Sequence, residues 1–287
     1  MPYVDGLFLA ARKYGLDTKT FVLNGSDRNT VGQVARRLRA DDGFELVLSA
    51  GIDPASSARL PDAAHLSDTR FVYVDASVRG TRAESSPNAT GLRFADEKAG
   101  YLAGYLSGLM AARPVVSVVA GPRSPPVNAL IRGFARGARK VRPGIAVLIA
   151  RAPSTTDQAV CEQIANRQID RGSTVVFAAA GTCGFGALSA AGLRGVWGVG
   201  SDVDRSYLGS HILVSTVKRI DRAIDMAIRW FVQGSLPEGD IVLGLDDDAV
   251  GISGISRDVP PEIRRKLAAV AASLRAAESE PKPAATN

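Results

Sequence analysis

Histidine is almost absent from this sequence, with only His65 and His211 in 287 residues. Cysteine is as scarce: Cys161 and Cys183 stand alone, without the CxxC spacing or the histidine pair of a zinc site. No metal and no cofactor are therefore expected. No apolar run approaches the ~18 residues that cross a bilayer. Met1 runs straight into Pro2-Tyr3-Val4-Asp5, without the basic start and apolar stretch of a secretory signal. Taken literally, such a chain stays in the cytoplasm; an extracytoplasmic, membrane-anchored lipoprotein requires a true start further upstream. Also missing is any basic cluster interleaved with aromatics, although the net charge is +6. Arginines stand singly or in pairs on helix faces, as in ARRLRADD and RQIDRG, so the charge reads as solvated surface and no nucleic-acid partner is expected.

What is present is ordinary globular composition, 46% hydrophobic and 22% charged. Apolar runs of strand length recur: KTFVL, FELVLSAG, RFVYVDAS, VVSVVAGP, IAVLIARA, TVVFAAAG, VWGVGSD and HILVSTV. Between them lie stretches with apolar residues at i, i+3 and i+4, among them VGQVARRLRADD, DEKAGYLAGYLSGLMAA, VNALIRGFARGARKV, QAVCEQIANRQIDRG and DRAIDMAIRWFVQG. That alternation predicts an α/β fold of parallel sheets with crossover helices. A long helix ending at Ala112-Arg113-Pro114 suggests a lobe boundary. The expected division is residues 1–112 with 218–236 in one doubly wound lobe and 113–217 with 237–277 in the other, then a polar tail, 278–287, without order. PYVDGLFLAARKYGL at the start reads as a helix, whereas a doubly wound lobe opens with a central strand. The first strand of the first lobe is thus expected to be missing, through a misplaced start codon or a trimmed chain.

Ligands of open α/β sheets bind at the carboxyl ends of strands, which draws attention to Asp75 after FVYV and Asp202 after VWGVGS. The turn Gly181-Thr182-Cys183-Gly184-Phe185-Gly186 has the order GxxGxG and no following lysine, so it matches neither a Walker loop nor a dinucleotide fingerprint. It is either a turn where Gly181 lets backbone approach a ligand or a tight strand-to-helix turn with none. Lys218 closes the strand HILVSTVK on the sheet edge expected for Asp202. A carboxylate and an ammonium on one edge suit a polyol: the first accepts from paired hydroxyls and the second donates, at about 1.5 to 3 kcal/mol per charged hydrogen bond. An ordinary surface ion pair is the alternative. No nucleophile–base pair is apparent, and the run Asp246-Asp247-Asp248 reads as a solvated bend, so catalysis is not expected. Cys161 begins the helix after the Thr155 loop, and Cys183 lies in the glycine turn. Outside the cytoplasm they are expected to form a disulfide; otherwise they are separate buried thiols.

In this order, FADEKAGYLAGYLSGLM, PPVNALIRGFARGARKVRPGI, VVFAAAGTCGFGAL, GSDVDRSYLGSHILVSTVKRID and LGLDDDAVGI resemble the basic membrane protein family of ABC-transporter substrate-binding lipoproteins, whose characterised members bind nucleosides. The resemblance runs from about Gly6 to Ile252. It implies the type I periplasmic-binding-protein fold, a small-molecule ligand held between lobes, ABC permease subunits as partners and a monomeric receptor. By the same resemblance Asp75 makes polar contact with the ligand, Asp202 binds ribose hydroxyls, and Lys218 is the cleft lysine. Thr155 stands where the family carries an aromatic that stacks on the base. The alternative functions are a ligand-sensing regulator of the same fold without a transport role and, less well supported, a nucleoside-processing enzyme.

Overall fold

The computed structural model describes residues 2–21, 28–40, 43–51, 68–85 and 88–279. In chain order the first elements are α1 (Pro2–Tyr14), α2 (Arg28–Ala40), β1 (Leu46–Ala50), β2 (Arg70–Val74), β3 (Ala89–Phe94), α3 (Asp96–Met110), β4 (Val115–Ala120), α4 (Pro125–Val141) and β5 (Ala146–Arg151). There follow α5 (Gln158–Asp170), β6 (Val175–Ala179), α6 (Gly184–Leu193), β7 (Trp197–Gly200), β8 (Ile212–Lys218), α7 (Ile220–Val232), β9 (Gly239–Leu243), β10 (Val250–Ser253) and α8 (Pro261–Ser279). They form two compact units, Met1–Phe94 with Arg219–Leu243 and Ala95–Lys218 with Gly244–Asn287.

The first unit holds a parallel sheet in the order β1-β2-β3-β9. Phe71, Val72, Tyr73 and Val74 are all buried, as a parallel strand covered on both faces requires. Helix α1 lies so close to α7 that a Cβ on Gly6 would stand 2.9 Å from the Cα of Asp221. Of the strand expected at KTFVL, Lys19 to Phe21 adopt none, and Val22 and Leu23 lie outside the described residues.

The second unit has the sheet order β10-β8-β7-β6-β4-β5, parallel except for β10, which runs antiparallel to β8. Phe134 of α4 stacks on Phe177 of β6 with centroids 4.9 Å apart, and both rings are fully buried. Burial of such a side chain contributes roughly 1.5 to 3 kcal/mol.

The division differs from the one the sequence suggests. Pro114 marks the end of α3, but α3 packs on α4 and belongs to the second unit. Gly100, Gly104 and Gly108 on α3 face the backbone at Leu130, Phe134 and Ala138, while Gly133 and Gly137 on α4 face that of Glu97 and Tyr101. Any Cβ at these positions would enter the opposite helix, so the small residues set how closely the pair packs. The later boundaries move for a similar reason. Lys218 is still the last residue of β8, whereas β9 pairs with β3 in the first unit, where Thr90 Oγ1 also donates to the Pro237 carbonyl at 2.5 Å. Glu278 and Ser279 extend α8, and the rest of the tail, 280–287, lies outside the described residues. Among the described residues no helix is long and apolar enough to cross a membrane.

Candidate functional site

At the carboxyl edge of the second sheet, β7 ends at Gly200, and the chain turns sharply through Ser201 and Asp202. Asp202 has φ of 70°, in the left-handed region, which costs an L-residue roughly 1 to 2 kcal/mol. Its carbonyl accepts from the Lys218 amide at 3.0 Å, joining the ends of β7 and β8. The Asp202 side chain is exposed, and its carboxylate contact is with Ser201 Oγ at 3.3 Å. That hydroxyl has a better acceptor in the Ala178 carbonyl, 2.8 Å away.

Lys218 is turned inward. Its Nζ lies 3.0 Å from Asp96 Oδ1, and the two side chains are only 10% and 9% exposed. Asp96 opens α3, where a carboxylate also favours the helix dipole. The acid of FADEKAG reads from sequence as a helix start alone. Only the tertiary fold makes it the counter-ion of Lys218.

Thr155 and Gly181 also meet. The Thr155 carbonyl accepts from the Cys183 amide at 2.7 Å and from Thr182 Oγ1 at 3.0 Å. Gly181 has φ of 59°, and a Cβ there would lie 3.2 Å from the Cβ and carbonyl oxygen of Thr155. The glycine is thus required by its backbone conformation and by its contact with Thr155. Cys161 and Cys183 are joined as a disulfide with Cα atoms 5.6 Å apart, tying α5 to this turn. Beside it lies a shallow pocket bordered by Gly181, Phe185, Ser201 and Arg205.

Asp204, two residues past Asp202, belongs to the turn. Its Oδ1 accepts from the Ser206 amide at 2.8 Å and its Oδ2 from Ser253 Oγ at 3.0 Å. Burial opposes its ionisation, but hydrogen bonds from the Ser206 amide and hydroxyl and from Ser253 outweigh that, so the carboxyl titrates below its ordinary value. In the run 246–248, Asp247 Oδ2 accepts from the Gly244 amide at 2.8 Å, and Asp248 has φ of 55°.

Asp75 lies in the first unit, directly after β2, with φ of 61°. The loop that follows is held by Asp240 of β9, which is nearly buried and accepts from Ser77 Oγ at 2.5 Å and the Val78 amide at 2.7 Å. Nothing in the sequence singles out Asp240. Its role depends on β9 lying beside β3, where Gly91 leaves room for the carboxylate.

A family model described as "ABC transporter substrate-binding protein PnrA-like" matches residues 4–273. The chain belongs to that family. Among similar curated proteins, the ABC transporter nucleoside-binding protein BmpA of Lactococcus lactis subsp. cremoris is 28% identical over 220 residues, covering 70% of this chain and 60% of that protein. Basic membrane protein D of Borreliella burgdorferi is 26% identical over 170 residues, covering 58% and 50%. The chain therefore spans about 60% or less of the length of these family members. Among solved structures, a transcriptional activator of the comK gene from Bacillus halodurans superposes with a TM-score of 0.82 at 21% identity, covering 98% of this chain and 95% of that one. An ABC transporter solute-binding protein from Aeropyrum pernix K1 gives 0.75 at 17% identity, covering 99% and 89%. These likenesses establish the fold as that of the solute-binding proteins, and family membership is shared with substrate-binding components of ABC transporters.

Proposed function

We propose that this protein is the substrate-binding component of an ABC transporter and takes a nucleoside or similar polyhydroxylated small molecule, which it delivers to permease subunits as a monomer. The observation that carries this reading is Asp202: an exposed carboxylate on left-handed backbone, just past the carboxyl end of a parallel strand, with one weak partner, Ser201, among the described residues. Such a group is available to accept both hydroxyls of a ribose-like diol. Lys218, fixed by Asp96, supplies positive charge on the same sheet edge. Gly181 and Thr155 shape the neighbouring turn. The protein is proposed to bind its ligand without transforming it. A ligand-sensing regulator, the alternative that the likeness to the comK activator brings forward, is less favoured by the family model and the nucleoside-binding relative.

Calorimetric titration against a panel of nucleosides tests the proposal, with chromatography of the same samples for free base. Saturable binding with the nucleoside recovered intact is expected. Absence of binding by folded protein, or release of base, would overturn it.

A further inference from the structure

Phe185 is the second residue of α6, four positions after Gly181, and its ring is half-buried. The guanidinium carbon of Arg205 stands 4.7 Å from the centroid of that ring. Arg205 Nη1 donates to the Tyr207 hydroxyl at 3.1 Å, and the Arg205 amide donates to Ser215 Oγ on β8 at 2.9 Å, fixing the loop that carries the side chain. Among the described residues no carboxylate forms an ion pair with Arg205. Tyr207 is 68% exposed and Val203 39%, so this short loop presents apolar surface beside the guanidinium. A guanidinium can be held by an acid or by aromatic faces. Here the cation is held by a phenyl face and a phenol, at the border of the pocket that also touches Gly181 and Ser201.

We propose that Phe185, Arg205 and Tyr207 form a stacking platform for the flat heteroaromatic ring of the ligand. This rests on the nucleoside reading above and deepens it. A guanidinium is planar and weakly hydrated, stacks on aromatic faces, and serves in nucleic-acid recognition as a surface on which bases lie. Asp202 stands three residues before Arg205 on the same loop. One loop thus presents a carboxylate for the sugar and a stacked guanidinium for the ring. Thr155, which packs against Gly181, has no ring to offer.

The test compares the affinities of the full chain for inosine, ribose and inosine 5′-monophosphate, with ribose measured by displacement, in the parent protein and in Phe185→Leu and Arg205→Met. From the range for base stacking, each substitution should weaken inosine binding by roughly 5- to 150-fold. Ribose binding should stay unchanged, which also shows that the variants are folded. Unchanged inosine affinity in both variants would overturn the platform while leaving the nucleoside reading intact. A loss confined to the monophosphate would overturn it too, assigning Arg205 to an anionic group. Failure of the parent protein to bind inosine would remove both proposals together.

Discussion

Breaking the Cys161–Cys183 bond should cost the second unit a large part of its stability. The bridge closes a loop with a sequence separation of 22. In the chain-entropy model, the loop entropy withheld from the unfolded state is about 2.1 + 1.5R ln 22, or about 11 cal/mol/K, which gives about 3.4 kcal/mol at 298 K. For a unit of this size each kcal/mol moves the melting midpoint by about 2 to 4 °C, so loss of the bond should lower it by roughly 7 to 14 °C. Both cysteines are fully buried, so Cys161→Ala with Cys183→Ala would add cavity terms. Reduction of the parent protein is the cleaner perturbation because it keeps both sulfur atoms. Differential scanning calorimetry with and without a thiol reductant gives the shift, and thiol titration of denatured, unreduced protein gives the number of free thiols. Two free thiols, or a midpoint insensitive to reductant, would refute the reasoning. The bond also joins α5 to the turn that packs on Thr155, so hydrogen exchange at the Cys183 amide, which donates to the Thr155 carbonyl, should quicken on reduction.

Other acids near the sheet edge should separate by function. Asp202→Asn should weaken nucleoside binding by about 10- to 150-fold, by the range for charged hydrogen bonds, with little change in melting; an affinity like that of the parent protein would show that another acid anchors the ligand. Asp96→Asn removes the carboxylate 3.0 Å from the largely buried Lys218 ammonium and should destabilise the protein by about 3 kcal/mol, measured by urea unfolding. An effect below roughly 1 kcal/mol would mean that the pair behaves as a solvated surface bridge. Asp204 has a depressed pKa, so its contribution to stability is present above the ordinary carboxylate range and is lost as pH falls through the folded-state value. Asp204→Asn should therefore flatten the acid limb of a melting-temperature profile, and a limb as steep as that of the parent protein would contradict the hydrogen bonds seen here.

The strands legible in the sequence are the ones buried on both faces. RFVYV, VVSVVA and VVFAA are continuous apolar runs because helices cover both sides of the sheet, and such runs announce themselves. β3, β9 and β10 escape notice because ATGLRF, GDIVL and VGIS mix glycine and polar residues, some of them placed for a tertiary reason. Gly91 is one case, since a side chain there would collide with Asp240. The site divides in the same way. Asp202 and Lys218 stand out as candidates because one follows an apolar strand and the other ends one, and periodicity shows where strands stop. Asp96 and Asp240 cannot, because what distinguishes them is a partner distant in sequence, and no local pattern encodes that pairing.

The backbone at Asp202 bears on why the residue there is an acid. Asparagine enters the left-handed region as readily as aspartate, since both short polar side chains hydrogen-bond locally. The sharp turn after β7 therefore requires one of a small set of residues, but it does not require charge. Three other acids of the chain have an evident use for their charge: Asp96 holds an ammonium, Asp240 a loop amide and hydroxyl, and Asp204 an amide and a hydroxyl. Among the described residues, the Asp202 carboxylate meets only the Ser201 hydroxyl, which is better placed to donate elsewhere. The turn draws little on its charge, and the proposed function assigns that charge to the ligand. Substituting asparagine changes that charge while leaving the turn its preferred geometry, so Asp202→Asn separates the demand of the backbone from that of the ligand.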